Sequence, residues 1–270
     1  GPAAAEYFVS AARRAQDDGA RAIVLRLDTP GGLSASMRQI ISAMLDAKVP
    51  VLGYVAPGGA RAASAGTYIL YASQIAAMAP ATHLGAATPV TLGGSTPMPS
   101  PLPGARKDPH TRPVAAASVE SRADSSRASG DAEANKVLND AIAYIRSLAQ
   151  LRGRNADWAE QAVRGAATLT ASEALQKHVI DIIADDIPAL LLQADGRRVS
   201  VDGHLLVLHL RGLAVRNYVP NWRSRFLGVI TNPTIAYMLL LAGIYGLLLE
   251  AFHPGAMLPG IAGGISLLIG

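Results

Sequence analysis

Apolar residues along the first eighty positions alternate between two periods, and that alternation predicts an α/β domain. Residues 3–18 carry a helical pattern that stops at Gly19, a residue suited to the left-handed turn that closes helices. The apolar run 22–27 predicts a buried strand. Ser34 then caps a helix in which Met37, Ile40, Ile41, Met44 and Leu45 recur at i, i+3, i+4, i+7 and i+8. Runs at 49–55 and 75–79 predict two more strands around a helix over 62–73. Short apolar strands that alternate with helices indicate a parallel sheet buried on both faces.

From 88 to 131 the pattern lapses into Pro, Ser, Gly, Ala and Arg with almost no large apolar residue, so a mobile loop is expected there. It reads equally as a loop covering a substrate or as a bland insertion. Regular structure resumes over 133–151, where Val137, Leu138, Ala141, Ile142, Ile145, Leu148 and Ala149 form one face and Lys136 falls in the first turn. A shorter helix follows Asn155. Thr170-Ala171-Ser172-Glu173 is a capping box that opens another helix. A strand over 180–184, a helix over 187–193 and a β-hairpin over 199–210, turning at Asp202-Gly203, complete a domain spanning 1–215.

Residues 216–230, with Tyr218, Trp222, Arg223 and Arg225, suit a juxtamembrane linker. Over 235–252 the chain is apolar apart from small residues and Glu250, long enough for a bilayer core of roughly 30 Å. A transmembrane segment is therefore expected within 231–270, the alternative being a buried core helix. A second apolar stretch over 256–269 looks like a span cut short, and the start at Gly1-Pro2 carries no targeting pattern, so a fragment is expected.

Composition narrows the chemistry. Half of the residues are apolar and 16% are charged, and the net charge of +4 is scattered, with no basic stripe interleaved with aromatics. Nucleic-acid binding is excluded on that ground. The absence of cysteine removes disulfides, thiolate metal sites and a cysteine nucleophile. Neither a metal nor a cofactor is expected.

Asp28-Thr29-Pro30-Gly31-Gly32 ends the first strand, and Gly58-Gly59-Ala60-Arg61-Ala62-Ala63-Ser64-Ala65-Gly66-Thr67 follows the second. Small residues around Ser64 let other backbone approach its hydroxyl, and Gly31-Gly32 offers unobstructed N–H groups for a developing oxyanion. A serine nucleophile needs a base. Of the histidines only His83 falls near enough, and a solvated turn histidine explains it as well. Of the four lysines, Lys48 and Lys177 have surface explanations and Lys107 lies in the loop. Lys136 heads an apolar helix just after that loop, where burial would favour its neutral form; a lysine snorkelling from a helix start is the other reading. Ala62 stands where a Gly-x-Ser-x-Gly elbow has its first glycine, so that motif is not met.

Three segments together resemble the membrane-bound serine proteases of the NfeD family, relatives of Clp protease and signal peptide peptidase. They are Leu27-Asp28-Thr29-Pro30-Gly31-Gly32, Ala63-Ser64-Ala65-Gly66-Thr67-Tyr68-Ile69, and Lys136 nine residues before Ile145-Arg146-Ser147-Leu148-Ala149; the last continues through Gly153-Arg154-Asn155-Ala156 and Leu169-Thr170-Ala171-Ser172-Glu173-Ala174-Leu175. The resemblance covers almost the whole chain. It implies a Clp/crotonase-like fold, a Ser64–Lys136 dyad, and an oxyanion hole from the N–H groups of Ala65 and of Gly31-Gly32. The Clp branch's triad histidine would align with Ala87, which argues against a triad. Substrate would lie along strand edges beside Gly31-Gly32 and at Gly85, Ala86 and Ala87.

The resemblance further implies cleavage of hydrophobic segments in membrane-associated partners such as stomatin-like proteins, self-association as a homodimer or larger assembly, and a protease domain outside the cytoplasm. Arg211, Arg216, Arg223 and Arg225 before the span argue for the opposite side. Two other classes remain: a catalytically silent membrane scaffold that holds a stomatin-like partner, and a crotonase-like acyl-thioester enzyme that uses the oxyanion hole alone.

Overall fold

The computed structural model describes residues 1–89, 117–219 and 233–252. Helix α1 (Pro2–Asp17) leads into β1 (Ile23–Leu27), α2 (Ser34–Leu45), β2 (Val51–Val55), β3 (Arg61–Ala63), α3 (Ala65–Ala72), β4 (Ile75–Met78) and β5 (His83–Gly85). The long helix α4 (Ala117–Leu151) is followed by α5 (Ala156–Arg164), β6 (Thr168–Thr170), α6 (Ala171–Gln176), β7 (Ile182–Ile183) and α7 (Ile187–Ala194). Strands β8 (Arg198–Val201) and β9 (His204–Val207) form the hairpin, and α8 (Pro233–Phe252) lies beyond it.

The main sheet has the order β1-β2-β4-β7, and all of its pairings are parallel. Its faces explain the unbroken apolar strands. In β2, Val51 and Val55 join a core beneath α1 to α5, while Leu52 and Tyr54 turn to a second core shared with α7 and the hairpin. The expected α/β class with a buried parallel sheet is therefore what the chain adopts.

A second sheet, in the order β3-β5-β6, pairs β3 with β5 in parallel and β5 with β6 antiparallel. The apolar pattern predicts none of these three-residue strands, because segments so short carry no readable period. Ala62 and Ala63, expected in the following helix, instead join Arg61 in a strand, with Ala62 bridged to Thr29. The sheet thereby brings the end of β1, the start of α3 and Gly85 to one place.

The capping box on α6 forms as expected, with Thr170 Oγ1 accepting the Glu173 N–H and the Glu173 carboxylate accepting the Thr170 N–H. The hairpin turns at Asp202-Gly203, both with positive φ. Helix α4, by contrast, begins at Ala117 rather than near 133. Residues 117–131 are rich in Ser and Ala with a few charged residues, which permit a helix without supplying an apolar face to announce one. The rest of the expected loop, 90–116, lies outside the described residues, as do 220–232 and the second apolar stretch after 252.

Candidate active site

Ser64 lies between β3 and α3 as the N-cap of α3, and every residue of α3 is buried. To make that junction Ser64 takes φ 52° and ψ −117°. A non-glycine residue held there costs on the order of 1–3 kcal/mol and persists only where its neighbours over-determine it. Those neighbours are visible. The Ser64 N–H donates to Gly85 O at 2.9 Å, and Ser64 O accepts from the Thr67 N–H at 3.0 Å. The Thr67 hydroxyl lies 2.8 Å from Ala62 O and 3.0 Å from Gly85 O, sharing its proton between them, and accepts the Gly85 N–H at 3.1 Å.

Thr67 is thus the clasp of the site. It is fully buried and joins β3, β5 and the first turn of α3. Sequence reasoning quoted it within the motif and assigned it nothing; its position three residues after Ser64, inside an otherwise apolar helix, was the available signal.

Gly31 lies directly against the serine. A Cβ built on it would sit 3.0 Å from Ser64 Cβ and 3.4 Å from Ser64 Oγ, and its φ of 143° is one that side chains rarely adopt. The close approach expected of the Gly31-Gly32 turn is therefore present. Its hydrogen bonding differs from expectation. The Gly31 N–H donates to Thr29 Oγ1 at 3.1 Å, and that hydroxyl donates back to Gly31 O at 2.8 Å. Among the described residues the N–H groups of Gly32 and Ala65 have no acceptor. Ala65 begins α3, so its N–H points out of the positive end of a helix, which suits an anion.

The other end of α3 is closed by arginines. Arg152 Nε donates to Ala72 O at 2.8 Å, and Arg154 donates to Tyr71 O and Ser73 O, each at 2.9 Å, while it pairs with Asp181 at 2.6 Å. Burial, with the neighbouring Arg154 charge, pushes the Arg152 guanidinium down to about 10, so it stays charged at neutral pH and complements the dipole.

The strand edge assigned to substrate is already occupied. The N–H groups of Gly85, Ala86 and Ala87 donate to Thr67 Oγ1, Ala167 O and Ala162 O, and Ala87 O accepts from the Tyr68 hydroxyl. An extended peptide finds no free donors at Gly85, Ala86 or Ala87. Next to Gly31, by contrast, Gly32 and Leu33 are exposed loop residues ahead of α2, with Leu33 45% exposed. Gly85 itself is a backbone requirement, since a side chain there would run into Ala167 O.

Lys136 is exposed, and it sits in the interior of α4 instead of its first turn. Among the described residues it makes no hydrogen bond or ion pair with Ser64. Its helix meets the helix that follows Ser64 in part through an aromatic pair: the Tyr144 ring stacks on Tyr68 with centroids 6.1 Å apart. Burial pushes the Tyr68 phenol up to about 12 and Tyr71 higher still. His83 lines a separate pocket with Pro80, Thr82, Thr170, Ala171 and Ser172, and no described hydrogen bond joins it to Ser64.

Residues 3–99 match the model of the NfeD1b N-terminal domain, and residues 234–270 match that of the NfeD integral membrane domain. The membrane-bound protease PH1510 of Pyrococcus horikoshii is 36% identical over 257 residues, covering 94% of this chain and 51% of the relative. The membrane protein NfeD1b of Bacillus subtilis is 26% identical over 265 residues, covering 98% and 52%. The chain thus spans about half the length of the curated relatives it matches. Among solved structures, the 1510-N membrane-bound stomatin-specific protease, as a lysine-to-alanine mutant in complex with a substrate peptide, aligns with a TM-score of 0.66 at 33% identity, covering 84% of this chain and 91% of that one. A serine-to-alanine mutant of the same protease aligns at 0.65 and 35% identity, covering 82% and 93%. Sequence matches span the α/β domain and the apolar end, the fold agrees over 84% of the chain, and the chain belongs to the NfeD family.

Proposed function

We propose that this chain is a membrane-anchored serine endopeptidase of the Ser–Lys type, with Ser64 as nucleophile and Lys136 as base, built on a Clp/crotonase-like fold. The observation that carries the reading is the arrangement at Ser64: a strained residue capping a buried helix, packed on Gly31, with the Gly32 and Ala65 N–H groups open beside it. The paired mutants of the similar protease, one at a serine and one at a lysine, support the same two chemistries.

In this reading a peptide lies along Gly32 and Leu33. Ser64 Oγ attacks the scissile carbonyl while the neutral Lys136 amine takes its proton, and the oxyanion is held by the Gly32 and Ala65 N–H groups. The resulting ammonium returns the proton to the leaving amine, which leaves an acyl-serine. Lys136 then deprotonates the water that hydrolyses it. Because Lys136 is exposed in the free chain, the base half of the site closes when substrate arrives, as catalytic contacts often do.

The natural substrate is a hydrophobic segment of a membrane-associated protein of the stomatin type, by analogy with the stomatin-specific protease. Among the residues whose side chains are described, no helix is long and apolar enough to cross a membrane. The span is proposed on other grounds: α8 has 20 residues, Leu240, Leu241, Ile244, Leu247, Leu248 and Leu249 are all exposed on it, and its sequence matches an integral membrane domain. The protease domain is placed outside the cytoplasm, since large domains translocate largely regardless of flanking arginines, and the chain is expected to act as a homodimer or larger assembly.

The test is labelling by a fluorophosphonate probe across a pH series, together with cleavage of an apolar peptide, for wild type, Ser64→Ala and Lys136→Ala. Labelling of wild type alone, rising with pH, is expected. Wild type that neither labels nor cleaves, yet retains a stomatin-like partner, would replace this reading with the scaffold.

A further inference from the structure

Helix α4 carries a charge cluster that the dyad does not use. Arg38 on α2 pairs with Asp140 on α4 at 2.6 Å, and its guanidinium lies over the Tyr144 ring, 4.3 Å from the centroid. Tyr144 stacks in turn on Tyr68, which follows Ser64 by four residues along α3. One arginine therefore joins α2 to α4 and, through Tyr144, to the helix whose N-terminus is Ser64. Asp140 follows Lys136 by four residues and Tyr144 follows Asp140 by four, so the three share one face of α4.

That spacing sets two side chains in competition. Left alone, an aspartate four residues from a lysine binds the ammonium and opposes loss of its proton. Arg38 takes that carboxylate instead. The other charges around Lys136 do not substitute for it. Glu133 shares its helix, and α3 contributes tyrosines and no charge. On α5, Asp157 and Glu160 pair with Arg146, ten residues farther along α4, and Arg164 pairs with Glu160. Arg38 is the described cation from a packed element that meets Asp140.

We propose that Arg38 is a positioning residue of the Ser64–Lys136 pair: it fixes α4 against α3 and withholds the Asp140 carboxylate from Lys136. The inference rests on the Ser–Lys reading above. It also explains why a base on an exposed helix is not lost to the carboxylate one turn farther along.

The experiment measures fluorophosphonate labelling rates of the full chain across a pH series for wild type, Lys136→Ala, Arg38→Ala, Arg38→Lys and the double variant Arg38→Ala with Asp140→Asn. Arg38→Ala is expected to lower the plateau rate about tenfold through misplacement of the base. It should also move the ascending limb up by about three tenths of a pH unit, the size of an exposed pair. Adding Asp140→Asn should return the limb to its wild-type position while the plateau stays low. Arg38→Lys, which keeps the ion pair and loses the planar stack, should hold the limb and lower the plateau. Peptide affinity measured in the Ser64→Ala background should be unchanged by Arg38→Ala, which separates positioning from a damaged fold. A limb unmoved in Arg38→Ala, or not returned by Asp140→Asn, overturns the proposal. Wild-type labelling by Lys136→Ala would instead remove the base assignment itself, and this inference with it.

Discussion

Helices α3 and α4 bring the two proposed reacting groups, and they are embedded in opposite ways. All eight residues of α3 are buried, and its ends are held by Thr67, Arg152 and Arg154; in α4 the residues from Ala132 to Lys136 are all exposed. The difference follows from what each half must do. A nucleophile with its oxyanion donors works only if those dipoles are already aligned, because aligning them during reaction would cost what they are meant to save. A base need only arrive. One half of the site is prebuilt by the core, and the other rides on a helix that packing holds only from Leu138 onward.

The sharpest way to break this contrast is to remove the nucleophile. Ser64→Ala should lower peptide turnover by on the order of 10⁶, as in serine proteases generally, with no loss of thermal stability, because alanine inherits the same strained backbone. A variant that unfolds early would show the hydroxyl to be structural.

Core substitutions come next. Leu70→Ala, at a fully buried position of α3, should destabilise by about 2–5 kcal/mol, whereas Asn135→Ala on the exposed part of α4 should stay within about 0.5 kcal/mol by urea denaturation. Equal costs would erase the comparison. Thr67→Val keeps the shape and strands the Gly85 N–H without an acceptor, so a loss of about 1–3 kcal/mol is expected, together with slower labelling of Ser64. Hydrogen exchange should mirror these numbers, with α3 amides opening only on global unfolding and those over 132–136 exchanging first.

The last effect is alkaline. Burial raises the Tyr68 phenol to about 12 in the folded chain, above the value near 10 of an unfolded tyrosine. The protonated form is the one that folding favours, so its contribution is complete below about pH 10 and is lost as pH climbs towards 12. Tyr68→Phe should flatten that part of the stability–pH curve; a curve of unchanged steepness would assign the alkaline transition to other groups.

Much of this was legible beforehand. The helix over 34–45 announced itself by its apolar spacing, α6 by its capping box and the hairpin by Asp202-Gly203, because each signal lies within a few residues of the structure it specifies. The small residues around Ser64 and the Gly31-Gly32 turn pointed to the same place. Strands β3, β5 and β6 were not legible, since three residues cannot show a period, and the start of α4 was hidden by a polar composition that fits both helix and coil.

What the sequence determined by itself is the set of candidate reacting groups and the local backbone around them: a serine among small residues, paired glycines after a strand, and a lysine where the apolar face of a helix begins. Only the tertiary structure decided which of those groups are available. The Gly31 N–H is engaged by Thr29, the edge at Gly85, Ala86 and Ala87 is closed by Thr67, Ala167 and Ala162, and Lys136 stands in solvent with Asp140 held by Arg38. The physical reason is that a backbone preference is set by neighbours in the chain, whereas most of these partners come from separate elements, from Gly85 and Thr67 to Ala87 and Ala162, and only folding chooses them.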